Sequence, residues 1–403
     1  MTLDILDVSN PETFEGGFPH EFFRTLRRDA PVVWHAGDIH GGPGYWIVSR
    51  YQDIRFVSKN PQIFASGRGN LIEQRPDAEI ENIRSMITMD PPSHPRYRKR
   101  VSSGFTPSAT SGLEEQTRKR VRAILDSVAH KGECDFVSDV AAELPLQVIA
   151  DLLGVPQEDR HQLFDWSNKL LGSEDPEYGN DISVAMAAGV EMMQYAYKLG
   201  QSKLANPGDD LATSMMIGEV DGEKLEMLEY GSFFLLLAIA GNETTRNLIS
   251  HGLLLLLEHR DQLERLQAEP GLLPSAIEEM LRFRAPVMYF RRTATRDAEV
   301  GGVEVKQGDK LTLWYPSANR DEDVFEDPDR FDIARYPNEH LAFGHGQHFC
   351  LGAHLARMEI RVMFEELLRR LPDIERCGDV RMLRSHFIDG VKSIPVRFTP
   401  ERG

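Results

Sequence analysis

Apolar residues recur at intervals of three and four through most of this chain, the spacing that lays one hydrophobic stripe along a helix. Helices are predicted on this basis at 51–59, from Pro95 towards Gly104, across 113–160 with Pro145 and Pro156 as punctuation, at 163–172, at 184–199 and at 353–371. Residues 172–180, between two of these helices, read as a mobile connection. Strand patterning is confined to 44–50 and to a pair of strands in 293–310 around Gly301-Gly302, the first opened by Arg292. The stretch 67–81 carries Gly, Pro and mixed charge without period, which predicts a long surface loop. Residues 317–336 are equally aperiodic but aromatic enough to pack as an ordered meander. The expected fold is mainly α with a small β subdomain, an α+β arrangement. No linker or internal repeat divides it, so 1–403 reads as a single domain.

One predicted helix stands apart. Residues 227–260 keep their period over about 50 Å of helix, enough to cross a domain of this size. The apolar run is broken at Ala240-Gly241-Asn242-Glu243-Thr244-Thr245. Glycine inside a helix costs about 1 kcal/mol against alanine, and a threonine hydroxyl can bond to the carbonyl one turn earlier. The break predicts a local widening of the helix against a bound group. A tolerated polar step between two apolar halves is the plainer alternative.

Composition narrows the class. Of 403 residues, 41% are hydrophobic and 27% charged, the balance of a globular protein whose core can enclose a bulky group. Residues 1–17 lack the basic start and apolar run of a signal peptide, and no window reaches the roughly 18 apolar residues of a membrane span. A cytoplasmic protein is the expectation. Three well-separated cysteines, Cys134, Cys350 and Cys377, fit a reduced compartment rather than a disulfide scaffold. A net charge of −17 argues against nucleic acid or an anionic membrane as the main partner.

Candidate chemistry gathers in Phe343-Gly-His-Gly-Gln-His-Phe-Cys-Leu-Gly352. Gly344 and Gly346 permit a sharp turn or a flat approach to something large, and Gly352 permits a closely packed entry into the next helix. Free amides and the positive end of that helix favour a thiolate at Cys350, a strong ligand for a soft metal centre. A buried, unreactive cysteine is the bland alternative. Zinc held by Cys350 with His345, His348 and His354 is another. Elsewhere His94 and Arg98 lie four apart and share a helix face, in what is otherwise a solvated basic turn, while Glu279 and Arg282 have the spacing of an intrahelical ion pair.

Three motifs in order give the chain a specific likeness. Phe343, Gly346, Cys350 and Gly352 match Phe-x-x-Gly-x-x-x-Cys-x-Gly, Glu279 to Arg282 matches Glu-x-x-Arg, and Ala240 to Thr244 matches Ala-Gly-x-acid-Thr. With these the chain resembles the cytochrome P450 family over essentially its whole length. The resemblance implies the family fold, with haem b between the long central helix and the helix after the cysteine loop, and Cys350 as the thiolate ligand of its iron. It implies haem contacts from His94, Arg98, Ala240, Gly241, Arg292, Phe343, Gly344, His348, Cys350 and Gly352. Among these, His94, Arg98, Arg292 and His348 would meet the two propionates. Thr244 and Glu243 are implied as the catalytic pair that delivers protons for dioxygen activation, the acid drawing on water. Glu279, Arg282 and Arg330 are implied as a structural ion-pair triad beneath the cysteine loop.

Such an enzyme takes electrons from a partner. His354, Arg357 and Arg361 share a face of the 353–371 helix, and Arg96, Lys99 and Arg100 are expected nearby. This cationic patch fits an acidic ferredoxin served by an NAD(P)H-dependent reductase. The distal pocket is expected from Leu71, Ile72, Met89, Leu236, Ala240, Val287, Met288, Phe387 and Ile388, an apolar lining that implies a lipophilic substrate. The stretches 152–160, 165–168, 174–178 and 241–247 resemble the bacterial subgroup that hydroxylates sterol side chains and methyl-branched lipids at a terminal carbon. A terpenoid hydroxylase is the alternative within the class, and a peroxide-using or ligand-binding haem-thiolate protein is a further one.

Overall fold

Helices begin where a side chain can satisfy their free amides. In the computed structural model, which describes residues 5–37, 42–73, 85–178, 181–219 and 222–401, Thr106 accepts from the Ala109 amide (3.2 Å) ahead of the helix Pro107–Val128. Asp181 does the same for Ile182–Ala205 and Asp210 for Leu211–Ile217, a helix that the pattern of apolar residues did not predict. The central helix Met227–Glu258 starts from a capping box formed by Glu226 and Glu229 and runs for 32 residues. Every residue from Thr245 to Leu256 is buried, so this half is enclosed on all sides.

The central helix is α-helical throughout, and the expected widening at 240–245 is absent. Thr244 Oγ1 donates to the Ala240 carbonyl at 2.8 Å without opening the backbone. A side chain at Gly241 would come within 2.9 Å of Ile149 Cδ1, so the glycine eases the crossing with helix Glu143–Leu153.

A five-stranded sheet lies beside the helices. Its spatial order is Val32–Gly37, Pro43–Val48, Lys310–Trp314, Tyr289–Ala294 and Phe64–Ala65; the second and third strands are parallel and the other neighbours antiparallel. Ala298–Val300 and Val303–Val305 form a hairpin around Gly301-Gly302, and Arg292 lies inside Tyr289–Ala294 rather than opening it. A large apolar cluster unites the helices, and two smaller ones cover the sheet, one of them centred on Trp314, Phe14, Phe23 and Tyr289. Among the described residues no helix is long and apolar enough to cross a membrane.

Two connections are more ordered than their sequence suggests. Asp175 pairs with Lys392 (2.8 Å) and accepts from the Arg384 amide (2.9 Å), and Glu177 pairs with Arg381 (3.0 Å). The connection expected to be mobile is thus tied to the C-terminal segment. In the early loop, fully buried Arg291 donates to the carbonyls of Arg68, Gly69 and Glu73. The rest of that expected loop, 74–81, lies outside the described residues.

The meander 317–336 is ordered by one buried ion pair. Arg282 makes two parallel bonds of 2.8 Å to Glu279, both side chains being fully buried, and also donates to the carbonyls of Asn319, Pro328 and Arg330. Glu279 in turn accepts from the Asp332 amide, Arg335 and Asn338. The third charged member is therefore Arg335, not Arg330, which contributes only its carbonyl and pairs with Asp332. Removing one partner of a buried pair leaves the other unsatisfied, so Glu279→Ala should cost about 3–5 kcal/mol, read as a lowered urea midpoint.

Candidate active site

The cysteine loop is closed by its own backbone. The Cys350 amide donates to the Phe343 carbonyl and the Gly344 amide to that of Leu341, both at 2.8 Å. Gly344 and Gly346 adopt φ of +70° and +72°, a region that side chains disfavour. At Gly346 an added Cβ would also lie 2.4 Å from the Ser58 carbonyl, so this glycine admits the end of helix Tyr51–Lys59. Gly352 is not closely packed: a Cβ there would meet no protein atom within 4 Å. The Phe343 ring lies beneath the Arg357 guanidinium, 4.5 Å away.

Burial pushes the Cys350 thiol up, while the Gly352 amide, Arg98 and Arg357 act in the opposite direction. Desolvation is the larger effect, so the amides and helix end do not on their own produce the expected thiolate. A metal must displace the proton. Zinc is not that metal. Among the described residues no cluster of ligand atoms forms around Cys350, and His354 is exposed.

Four nitrogen-bearing side chains meet beside this loop. The His94 and His348 rings lie 4.3 Å apart, Ser66 Oγ is 3.1 Å from His348 Nε2, and Arg98 donates to the Gln347 carbonyl (3.3 Å). Burial, then the neighbouring arginines, lowers the pKa of His94 to about 4; burial, Arg292, His94 and Arg98 lower that of His348 to about 2. Arg98 and Arg292 have no carboxylate ion pair among the described residues; Asp90, whose charge reaches His94 and Arg292, accepts from the Ser66 and Gly67 amides. His94 Nε2 is buried without a hydrogen-bond partner. This is a nest of donors built for anionic oxygen.

On the central helix, Leu236, Ala240 and Thr244 form a stripe at four-residue spacing. Ala240 is exposed and its two neighbours half-buried, although most of the helix around them is enclosed. Glu243 faces elsewhere. It is 1% exposed and paired with Arg246, which also donates to Asn168 (2.9 Å). Burial raises its pKa while Arg246 opposes the shift. The expected contact of this acid with water is thus replaced by an ion pair.

The expected pocket residues divide. Met89 is buried and its backbone bonds to His348. Phe387 lies 5.6 Å from the Phe290 ring, which shares a strand face with Arg292, and Val287 pairs with Ile388. Leu71 is half-buried in the early loop. Ile72 and Met288 turn into the core around Trp314 instead, Ile72 being fixed by its amide to Tyr289 (3.2 Å) and its carbonyl to Lys310 (3.0 Å). Ser66, Gln347 and Arg246 were not anticipated. Only Arg246 carried a signal, its i, i+3 spacing from Glu243.

The outer side of the cysteine helix Ala353–Arg370 carries a groove of about 340 Å³, lined by Pro107, Glu114, Ile277, His354, Arg357 and Arg361. Its arginines are already paired: Arg357 with Glu278 (2.6 Å), Arg361 with Glu114 (2.6 Å) and Glu365 (2.9 Å). Arg96 likewise pairs with Glu223. The patch is less cationic than residue type suggests.

The comparisons agree with this geometry. The Cytochrome P450 family profile matches residues 124–372. A steroid C26-monooxygenase of Rhodococcus jostii (strain RHA1) is 42% identical over 98% of this chain and 85% of its own. A methyl-branched lipid omega-hydroxylase of Mycobacterium tuberculosis is 43% identical over 94% of this chain and 90% of its own. A Mycobacterium marinum cytochrome P450 solved in complex with pseudoionone aligns with a TM-score of 0.93 at 38% identity, covering 99% of both chains. The chain belongs to the cytochrome P450 family and is a haem-thiolate monooxygenase.

Haem suits the residues present: a soft ligand in Cys350, and beside it buried donors lacking the two carboxylates that haem would bring. Arg98→Ala and Arg292→Ala should each speed haem loss to apomyoglobin by about tenfold or more, the value of a charged hydrogen bond.

Proposed function

We propose that this cytochrome P450 hydroxylates a steroid side chain or a methyl-branched lipid at a terminal carbon. One observation carries the reading: a steroid C26-monooxygenase and a methyl-branched lipid omega-hydroxylase each exceed 40% identity across nearly the whole chain. The apolar stripe of Leu236 and Ala240, with Val287, Phe387 and Ile388 on the facing segments, supports a lipophilic substrate. A terpenoid is the second reading, favoured by the relative that was solved with pseudoionone, an isoprenoid ketone.

Bound haem supplies the redox chemistry that activates dioxygen for insertion into a C–H bond, and a thiolate ligand favours O–O cleavage. Cys350 is the ligand we assign. His94, Arg98, Arg292 and His348 would hold the propionates. Thr244 holds a proton on Oγ1, now directed at the Ala240 carbonyl, and can turn it towards the oxygen side of the site. Glu243 can resupply that proton once its carboxylate has left Arg246 and taken up a proton from solvent. Leu71, Met89, Phe387 and Ile388 exclude water.

Electrons arrive, in this reading, from an acidic ferredoxin and its NAD(P)H-dependent reductase at the groove beside the cysteine helix. Because Arg357 and Arg361 are paired with Glu278 and Glu114, docking requires the ferredoxin's carboxylates to compete with those acids.

Titration of the haem-loaded protein with sterols, methyl-branched fatty acids and terpenoids tests the substrate class. A saturable shift of the Soret band towards high spin with a sterol or branched lipid is expected, and a response to terpenoids alone refutes the reading. Thr244→Ala should keep haem and substrate binding but lower product per NAD(P)H by about tenfold or more, with peroxide in its place. Unchanged coupling would remove Thr244 from this role.

A further inference from the structure

Three segments far apart in sequence meet at one imidazole. The His386 ring is buried, with Nδ1 2.6 Å from Oε1 of Glu174 and Nε2 3.1 Å from Oε1 of Glu73. Glu73 belongs to the early loop and Glu174 to the connection between helices Arg160–Leu171 and Ile182–Ala205. His386 precedes the strand Val391–Ser393. The carboxylates are 30% and 23% exposed and the imidazole 4%, so the triad runs from the surface inwards.

The residue after the imidazole is Phe387. Its ring touches Tyr289 and Phe290, the latter on the strand face of Arg292, and the next residue, Ile388, pairs with Val287. The strand that carries Arg292 is thus linked through Phe290 to Phe387, the neighbour of His386.

The surroundings of the ring set its charge. Tyr289 stacks on it at 5.7 Å, and the Tyr289 hydroxyl accepts from the Ile72 amide. Arg291 donates to the Glu73 carbonyl, and Arg384 to the Glu174 carbonyl (3.1 Å). Lys392 pairs with Asp175 and Glu177. Burial lowers the pKa of His386, but the Glu174 and Glu73 carboxylates more than reverse this, to about 9.

We propose that His386 is a positioning residue for substrate selection, an imidazolium shared by Glu73 and Glu174 that clamps the early loop and Phe387 together at the rim of the lipophilic site. The proposal rests on the siting of the substrate along Val287, Phe387 and Ile388. Loss of the ring proton turns a nitrogen lone pair towards a carboxylate and loosens the clamp. The sign follows from a pKa raised on folding: the clamp is at full strength below the ordinary histidine pKa of about 6.5 and is lost as pH rises through about 9.

Stopped-flow binding of 4-phenylimidazole to the haem-loaded protein provides the test, since this azole takes the iron whatever the natural substrate is. H386Q should raise its association and dissociation rates by about tenfold, a coupling of ordinary size for a buried ion-paired cluster, and leave carbon monoxide binding unchanged. Wild-type protein should acquire the fast rates as pH rises through about 9, and H386K, which keeps the charge, should restore slow rates at neutral pH. Wild-type azole rates in H386Q, or a pH-driven rise that H386Q still shows, overturn the proposal. Should H386Q fail to load haem, E73Q must show the same rise in smaller measure, and wild-type rates in E73Q overturn the clamp. A substrate panel that fails to shift the spin state leaves these rates untouched, so the two readings can fail separately.

Discussion

The architecture of the thiolate side hangs on two adjacent acids, Glu278 and Glu279. Glu279 is sunk in the protein with Arg282 and would be costly there without its full set of donors. Those donors come from 332–338, and the carbonyls that complete Arg282 come from 319–330, so satisfying one ion pair folds a segment that lacks regular secondary structure. The segment leads directly into the cysteine loop: the Leu341 amide donates to Asn319 Oδ1 at 2.7 Å. Glu278, one residue earlier, points the other way and grips Arg357 and His340. Together the two acids place Cys350 between a meander and a helix that cannot move independently.

Electrostatics at the site work by deliberate imbalance. Among the described residues His94, Arg98, Arg292 and His348 crowd together without a carboxylate ion pair, only the charge of Asp90 reaching them, and burial drives both imidazoles towards the neutral form. Such a cluster costs stability until anionic oxygen arrives, of the kind the haem carboxylates would supply. Cys350 obeys the same physics: burial keeps it a thiol until a metal takes the proton's place. On the central helix the Glu243 carboxylate is restrained in turn by Arg246.

Much of the helical frame was legible, because a stripe of apolar residues and a cap are local facts. Helix 51–59 and the cysteine helix begin where the pattern places them. The cysteine loop and the Glu-x-x-Arg pair were also legible from their residues, whereas the four donors were reached only through the family resemblance. Less legible was what a glycine or an arginine meets. Gly346 admits Ser58 and Gly241 lies against Ile149, contacts that no local pattern announced. Arg335 rather than Arg330 reaches Glu279, although both lie in the same polar stretch.

The sequence by itself determined the class of protein, since the cysteine loop, the polar break in the apolar run of the central helix and the Glu-x-x-Arg pair stand in the order of the family's motifs. Tertiary structure decided direction and pairing. It turned Ile72 and Met288 into the core, fixed the connection after Leu171 through Asp175, and brought Glu73, Glu174 and His386 within ion-pair distance. The physical reason is range: periodicity and capping act over a few residues, whereas burial and charge pairing depend on which segments the fold brings together.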